Sequence, residues 1–243
     1  AKEAAEQAAA EAEAAAEEAA AKEAAEQAAA EAEAAAEAAA QAAAEQAAAE
    51  YENYSITIFG SAIDGYLAEA DVKVKKTETN EIIYTTTTNS DGLYSVEVQR
   101  KDFPIEVMIN NGIDLDTNSI NTMELSTFIL KEEVSEDNNV EKNITPITSL
   151  LKPTFNKTKL SNSTLTNQNI LEISKTKLKD ALKITNIEDI EKDFIKDENK
   201  ELFRINESIV SLTNSISDFI DTSPKDVFNG IAESIHQSKI LEN

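Results

Sequence analysis

The 243-residue sequence predicts a multi-part α+β chain: a long Ala-rich α-helix, an antiparallel β-sandwich and a small C-terminal helical bundle. Three observations predict it. Residues 1–50 consist of 31 Ala, 13 Glu, 4 Gln and 2 Lys, with no Gly, Pro or β-branched residue to end a helix. Residues 51–130 carry six runs of alternating apolar and polar residues separated by turn signals. Beyond residue 167, apolar residues recur every three or four positions. The expected parts are a stalk over 1–50, a sandwich over 51–130, an acidic linker and polar loop over 131–166, and a bundle over 167–243.

The first part has no apolar side chain larger than a methyl, so it cannot build a core of its own. As a helix it forms a rod of about 75 Å. Residues 1–17 recur at 21–37. At 100° per residue, Lys2, Glu3, Glu6, Gln7, Glu11, Glu13, Glu17 and Glu18 fall on one half of the circumference, opposite an all-Ala half. Twenty residues advance the phase 200° beyond five turns, so the second repeat points its Ala half nearly the other way. Such a rod either changes partners midway or contacts neighbours on both sides. Its composition is similar to the Ala- and charge-rich periplasmic stalks of the TolA type. It equally fits an engineered rigid spacer of the EAAAK type, or a run whose residue identities are assigned without firm support.

Strands are expected at Ser55 to Phe59, Asp71 to Lys75, Glu81 to Thr88, Leu93 to Val98, Pro104 to Asn110 and Met123 to Leu130. Asp64-Gly65, Thr79-Asn80, Asn89-Ser90-Asp91-Gly92 and Asn111-Gly112 supply the turns. The stretches FGSAIDGYLAEADVKV (Phe59 to Val74) and TNSDGLY (Thr88 to Tyr94) resemble the carboxypeptidase regulatory-like family of prealbumin-type sandwiches. The resemblance implies a passive spacer or binding sandwich whose Tyr94 packs inward, and it carries no peptidase residues. Ala62 and Glu69 depart from the family pattern.

Lys131 to Lys142 is expected to be an acidic linker, and the stretch after ITPITSLL (Ile144 to Leu151) a polar loop. Helices are expected at Asn169 to Ile184, at Asn199 to Asp221, and from a Ser223 cap and Pro224 through Ile235. Leu202, Ile205, Ile209, Leu212, Ile216 and Phe219, spaced 3, 4, 3, 4 and 3, are expected to face the bundle core, with self-association as the alternative use of that face. The succession of sandwich, ITPITSL and the IEDIEKDF segment resembles a recurrent layout of large bacterial surface proteins, in which a TPLT-type segment joins sandwich to bundle. That resemblance implies an adhesin-like structural role at the extracellular surface, with the periplasm as the alternative.

The net charge of −24 argues against nucleic acid and anionic lipid as partners. No run of about 18 apolar residues exists to span a bilayer, and the start shows no export-signal pattern. Without Cys there is no disulfide or thiolate site, and the single His236 lacks a nucleophile elbow. A non-enzymatic, homo-oligomeric or filamentous component is therefore expected, assembling through the Ala-rich helix and meeting other surface proteins or glycans. Asp114, Asp116 and Asn118 have the alternate spacing of a calcium loop, but Ser119 stands where Gly is needed and Leu125 where a bidentate Glu is needed. A polar turn is the competing reading, and calcium the only cofactor the sequence suggests.

Overall fold

The computed structural model describes residues 2–135 and 137–238. Among the described residues the chain is mixed α+β and divides into two units, residues 1–53 and 54–243. The predicted polar side chains of Glu3, Glu6 and Gln7 and the last five residues of the expected bundle lie outside the described set.

The first unit is one helix, α1 (Lys2–Glu52). Every described side chain up to Tyr51 is exposed. With its described side chains exposed up to Tyr51, the helix draws on intrinsic propensity and on i,i+4 pairs such as Gln27 to Glu31 and Gln46 to Glu50, at 3.3 and 3.1 Å. Its two opposed polar halves cancel, so α1 as a whole has almost no net amphipathicity. Asn53 ends it, its amide donating to the Ala49 carbonyl at 2.9 Å.

The second unit begins with a sandwich. One sheet has the order β10-β1-β5, from β1 (Ser55–Ser61), β5 (Leu93–Gln99) and β10 (Asn139–Glu141). The other has the order β4-β3-β6-β9, from β3 (Asp71–Lys76), β4 (Ile82–Thr87), β6 (Ile105–Asn110) and β9 (Leu125–Ile129). Three two-residue strands, β2 (Leu67–Ala68), β7 (Ile113–Asp114) and β8 (Ser119–Ile120), form a small third sheet. Alternation sends Ile56, Ile58, Val72, Val74, Val96, Ile105, Val107 and Ile109 inward, all fully or almost fully buried. Tyr94 also packs inward, its hydroxyl donating to the Lys142 carbonyl at 2.6 Å. At the β4–β5 turn Gly92 takes φ +75°, as its position requires. Asn89 caps this turn, its Oδ1 accepting from the Asp91 and Leu93 amides.

Residues 131–166 differ most from expectation, for the expected linker and loop contain a strand and two helices, with turns left at 162–166. β10 pairs in parallel with β1, placing Val140 opposite Ile58. The segment continues through α2 (Pro146–Ser149) and α3 (Leu151–Ser161). Thr145 caps α2, with its Oγ1 accepting from the Thr148 amide while Thr148 Oγ1 accepts from the Thr145 amide. The amphipathic face of α3 is Leu151, Thr154, Phe155 and Thr158, all buried. Threonines on the inward stripe hide the helical pattern from a hydropathy reading.

The chain ends in α4 (Asn167–Leu182), α5 (Lys200–Ile220) and α6 (Pro224–Ser238). Thr166 and Asn199 cap α4 and α5, and the expected Ser223 cap accepts from the Asp226 amide at 3.2 Å. Helix α2 packs on β9, and Phe155 of α3 meets Phe128 with ring centroids 4.9 Å apart. One continuous core therefore runs from Ile56 to Ile235, and sandwich and helices are not separate bodies. Sharing suits a chain whose apolar content is modest, since one larger core has less surface than two small ones.

On α5 the expected core face is split. The buried residues are Leu202, Asn206, Ile209 and Thr213. Ile205 and Ile216 are half-buried, while Leu212 and Phe219 are 49% and 89% exposed. Asn206 explains the rotation: its Oδ1 accepts from the Ile147 amide and its Nδ2 donates to the Leu202 carbonyl, so a polar side chain takes the inward position.

Candidate functional site

The DLDTN stretch forms the turn between β7 and β8. Asp114 Oδ1 accepts from the amides of Asp116 (2.8 Å) and Thr117 (3.3 Å), and Oδ2 accepts from Thr117 Oγ1 at 2.7 Å. Asn118 closes the turn at φ +54°, its amide donating to the Asp114 carbonyl. Both oxygens of Asp114 are thus engaged by its own turn. Asp116 borders a hollow beside Phe194 and Phe203. Among the described residues no group of three or more His, Asp or Glu could hold a metal ion.

What Asp114 does meet is Asp64. Both border a small polar hollow with Asn121 and Asn214. Gly65, at φ +67°, lies so close that a Cβ there would fall 2.2 Å from Asp114 Oδ1. Burial, followed by the charges of Glu207 and Asp114, raises the Asp64 carboxyl to about 6 against a hydrogen bond from Asn121. Sequence spacing could not find this pair, because the carboxylates come from loops 50 residues apart.

A second cluster was equally hidden. Asp193 is buried and accepts from Ser61 Oγ (2.9 Å), Tyr66 OH (3.0 Å) and the amides of Ile195 and Lys196 (3.2 and 2.9 Å). It latches the segment around residues 187–199 onto the end of β1. Burial and the bond to Asp193 raise the Tyr66 hydroxyl to about 12, so Tyr66 stays a proton donor. Beside this latch lies a hollow of about 550 Å³ bordered by Phe59, Tyr66, Leu93, Ser95, Glu141 and Lys196.

The third cluster ties the β10 region to the helices. Lys142, 5% exposed, lies against the carboxylates of Glu133 (2.7 Å) and Glu191. Lys175 of α4 bonds the other Glu191 oxygen at 2.6 Å. Burial alone would lower the Lys142 ammonium, but Glu191 and Glu133 outweigh it and hold it above the ordinary lysine value. The residues of the expected acidic linker are thus partly spent on a buried ion network.

His236 sits between Ser161 and Lys177, with Nε2 3.1 Å from Ser161 Oγ and Nδ1 2.9 Å from Lys177 Nζ. Burial and Lys177 lower its pKa. An ammonium donating to Nδ1 leaves the proton of the neutral ring on Nε2, so the imidazole donates to Ser161 and cannot act as its base. This contact braces α6 against α3 and α4. The chemistry on view is fastening: the polar side chains of each cluster have partners within the fold.

No protein-family model matches the chain, and a search of curated proteins finds no relative.

Proposed function

We propose that the chain is a non-enzymatic structural and interaction component of a bacterial cell surface, in which α1 spaces or assembles copies and the compact unit is the module it carries. One observation supports this above the others: a 51-residue helix exposes every described side chain up to Tyr51 and offers two opposed Ala faces. Alanine permits close approach of helices, while the 13 Glu keep the remaining surface wet. The resemblance of the sandwich and of ITPITSL to surface proteins supports the location, with the periplasm as the alternative compartment.

The test replaces Ala15, Ala19, Ala28 and Ala32 by Glu, a strong helix former, to charge both faces without breaking the helix. Sedimentation of the full chain should show an association that these substitutions weaken, with helical circular dichroism unchanged. An association untouched by them, or none at all in the parent chain, refutes assembly through α1.

A glycan-binding adhesion module is the second reading. It draws on the hollow where exposed Phe59 and Leu93 lie beside Ser95, Glu141 and Lys196, an apolar floor with polar groups at its edge. A glycan array probed with the parent and Phe59→Ala chains, with and without calcium, decides it: no signal in either condition removes it.

A further inference from the structure

Several inward hydroxyls of the helices are satisfied. Ser174 donates to the Ile170 carbonyl, and Thr148 and Ser149 donate to the carbonyls of Ser126 and Thr145. The exceptions fall in two pairs. Thr154 and Thr158 on α3, and Thr213 and Ser217 on α5, bury their hydroxyls, and among the described residues none of the four has a hydrogen-bond partner.

Both pairs belong to faces turned toward α6. On α3, Thr154, Lys157, Thr158 and Ser161 follow the i, i+3, i+4, i+7 spacing of one helix face. Lys157 and Ser161 of that face meet Glu233 and His236 of α6. On α5, Thr213, Ile216, Ser217 and Ile220 repeat the spacing, and Ile216 and Ile220 border a hollow of about 720 Å³ shared with Val227 and Ile231 of α6. Helix α6 therefore lies in a seat whose two walls each hold two hydroxyls removed from water without replacement partners.

Other features of α6 suit a helix that leaves its seat. Four buried apolar side chains, Val227, Phe228, Ala232 and Ile235, hold it down. The ion pair of Lys157 with Glu233 is more than a third exposed on both sides and adds little. Gly230 weakens the helix, and neither a positive φ nor a close neighbour calls for a glycine there. The first turn is capped from within, Ser223 Oγ donating to the Asp226 carboxylate and accepting from its amide, so it needs neither wall. Three residues, Asp221 to Ser223, join α6 to α5, the first of them at φ +51°.

We propose that α6 is a releasable flap, which swings off α3, α4 and α5 as a unit about Asp221 to Ser223 while the sandwich and the other helices stay folded. Release returns the four hydroxyls to water together, and that gain offsets part of the apolar burial lost. Closed, α6 covers the inward faces of α3 and α5; open, it presents them. The device lies wholly in the compact unit and operates whether or not α1 assembles copies.

The chain has no Cys, so a single introduced thiol reports its own exposure. Val227→Cys and Ala232→Cys place one on the buried side of α6, and Thr127→Cys places one in the fully buried sandwich core. Each full-length variant is treated with excess N-ethylmaleimide at neutral pH, and the rate is divided by that of the same thiol in urea. The two α6 thiols should react at matching rates, about 100-fold faster than the sandwich thiol. Adding Thr154→Val with Thr213→Val should slow both by about 100-fold, roughly tenfold for each hydroxyl removed. Melting curves identify a reporter that unsettles the fold, and the other α6 position then carries the comparison. Thiols on α6 that react no faster than the sandwich thiol mean that α6 leaves only with the whole fold, and unequal rates at 227 and 232 mean fraying from one end; either result overturns the proposal. A fast reaction that the two valines leave unchanged also overturns it, since the hydroxyls would not then be what loosens the seat.

Discussion

Replacing Lys142 by Met tests the joint between the β10 region and the helices. The ammonium is almost wholly buried between Glu133 and Glu191, and Met keeps the length of the side chain while deleting its charge. Two carboxylates would then face each other with only Lys175 to share, at 2.6 Å from Glu191 and 3.7 Å from Glu133. Removing one partner of a buried ion pair costs about 3–5 kcal/mol. For a compact unit of this size that is a fall in melting temperature of roughly 10 °C. The raised pKa of Lys142 means its contribution is complete below the ordinary lysine value of 10.5 and is lost as pH climbs through the folded value. Glu191 is held below its ordinary value, since Lys142 and Lys175 outweigh burial, so its share is present at neutral pH and lost as pH falls through the lowered value. The variant and parent melting curves should therefore converge in acid. Adding Glu191→Gln should recover part of the loss, because it removes the stranded charge. Calorimetry of the parent, the two single variants and the double variant provides the measurement. A loss below about 1 kcal/mol at pH 7 would place the network with exposed ion pairs and refute its role as a joint.

Asp64→Asn should stabilise the protein by about 1–3 kcal/mol at pH 7.5, because a carboxyl raised to about 6 makes ionisation costly in the folded state. The gain should vanish by pH 4, where Asp64 is protonated anyway; denaturant melts at both pH values give the comparison, and equal gains would refute the assignment. Among the described residues the buried Thr158 hydroxyl has no hydrogen-bond partner, so Thr158→Val should raise stability by about 1 kcal/mol, measured as a shift in urea midpoint. His236, neutral and lowered by burial and Lys177, contributes stability that is complete above the ordinary value of 6.5 and lost as pH falls through the folded value. Hydrogen exchange in α6 should quicken over that acid range, and His236→Asn should flatten the response; a response unchanged in the variant would move its cause elsewhere.

The six long strands and the three long helices were legible because each follows one rule of periodicity, and the Asn199 and Ser223 caps mark where two of the helices begin. Residues 131–166 were not, because their inward positions are filled by Thr154, Thr158 and Ser149, which read as surface. Val140 gave no alternation to read, and its burial depends on meeting Ile58 across more than 80 residues of chain. The face of α5 misled for the opposite reason. Its apolar spacing is regular, yet Asn206 takes the inward position, where its Oδ1 accepts from the Ile147 amide in the first turn of α2. The Asp193 latch and the Asp64–Asp114 pair depend on loops brought together only by the finished fold.

The parallel pairing of β1 with β10 bears on how the molecule carries load. A pull applied between Ser55, where β1 begins, and Glu141, where β10 ends, acts on opposite ends of the same short ladder. The bonds along the pairs Thr57–Asn139, Ile58–Val140 and Phe59–Glu141 run across that pull. They are stressed in shear and must give way together, where a hairpin pulled from its open end would unzip one rung at a time. A ladder wired in this way resists a pull between those two residues until its rungs break as a group.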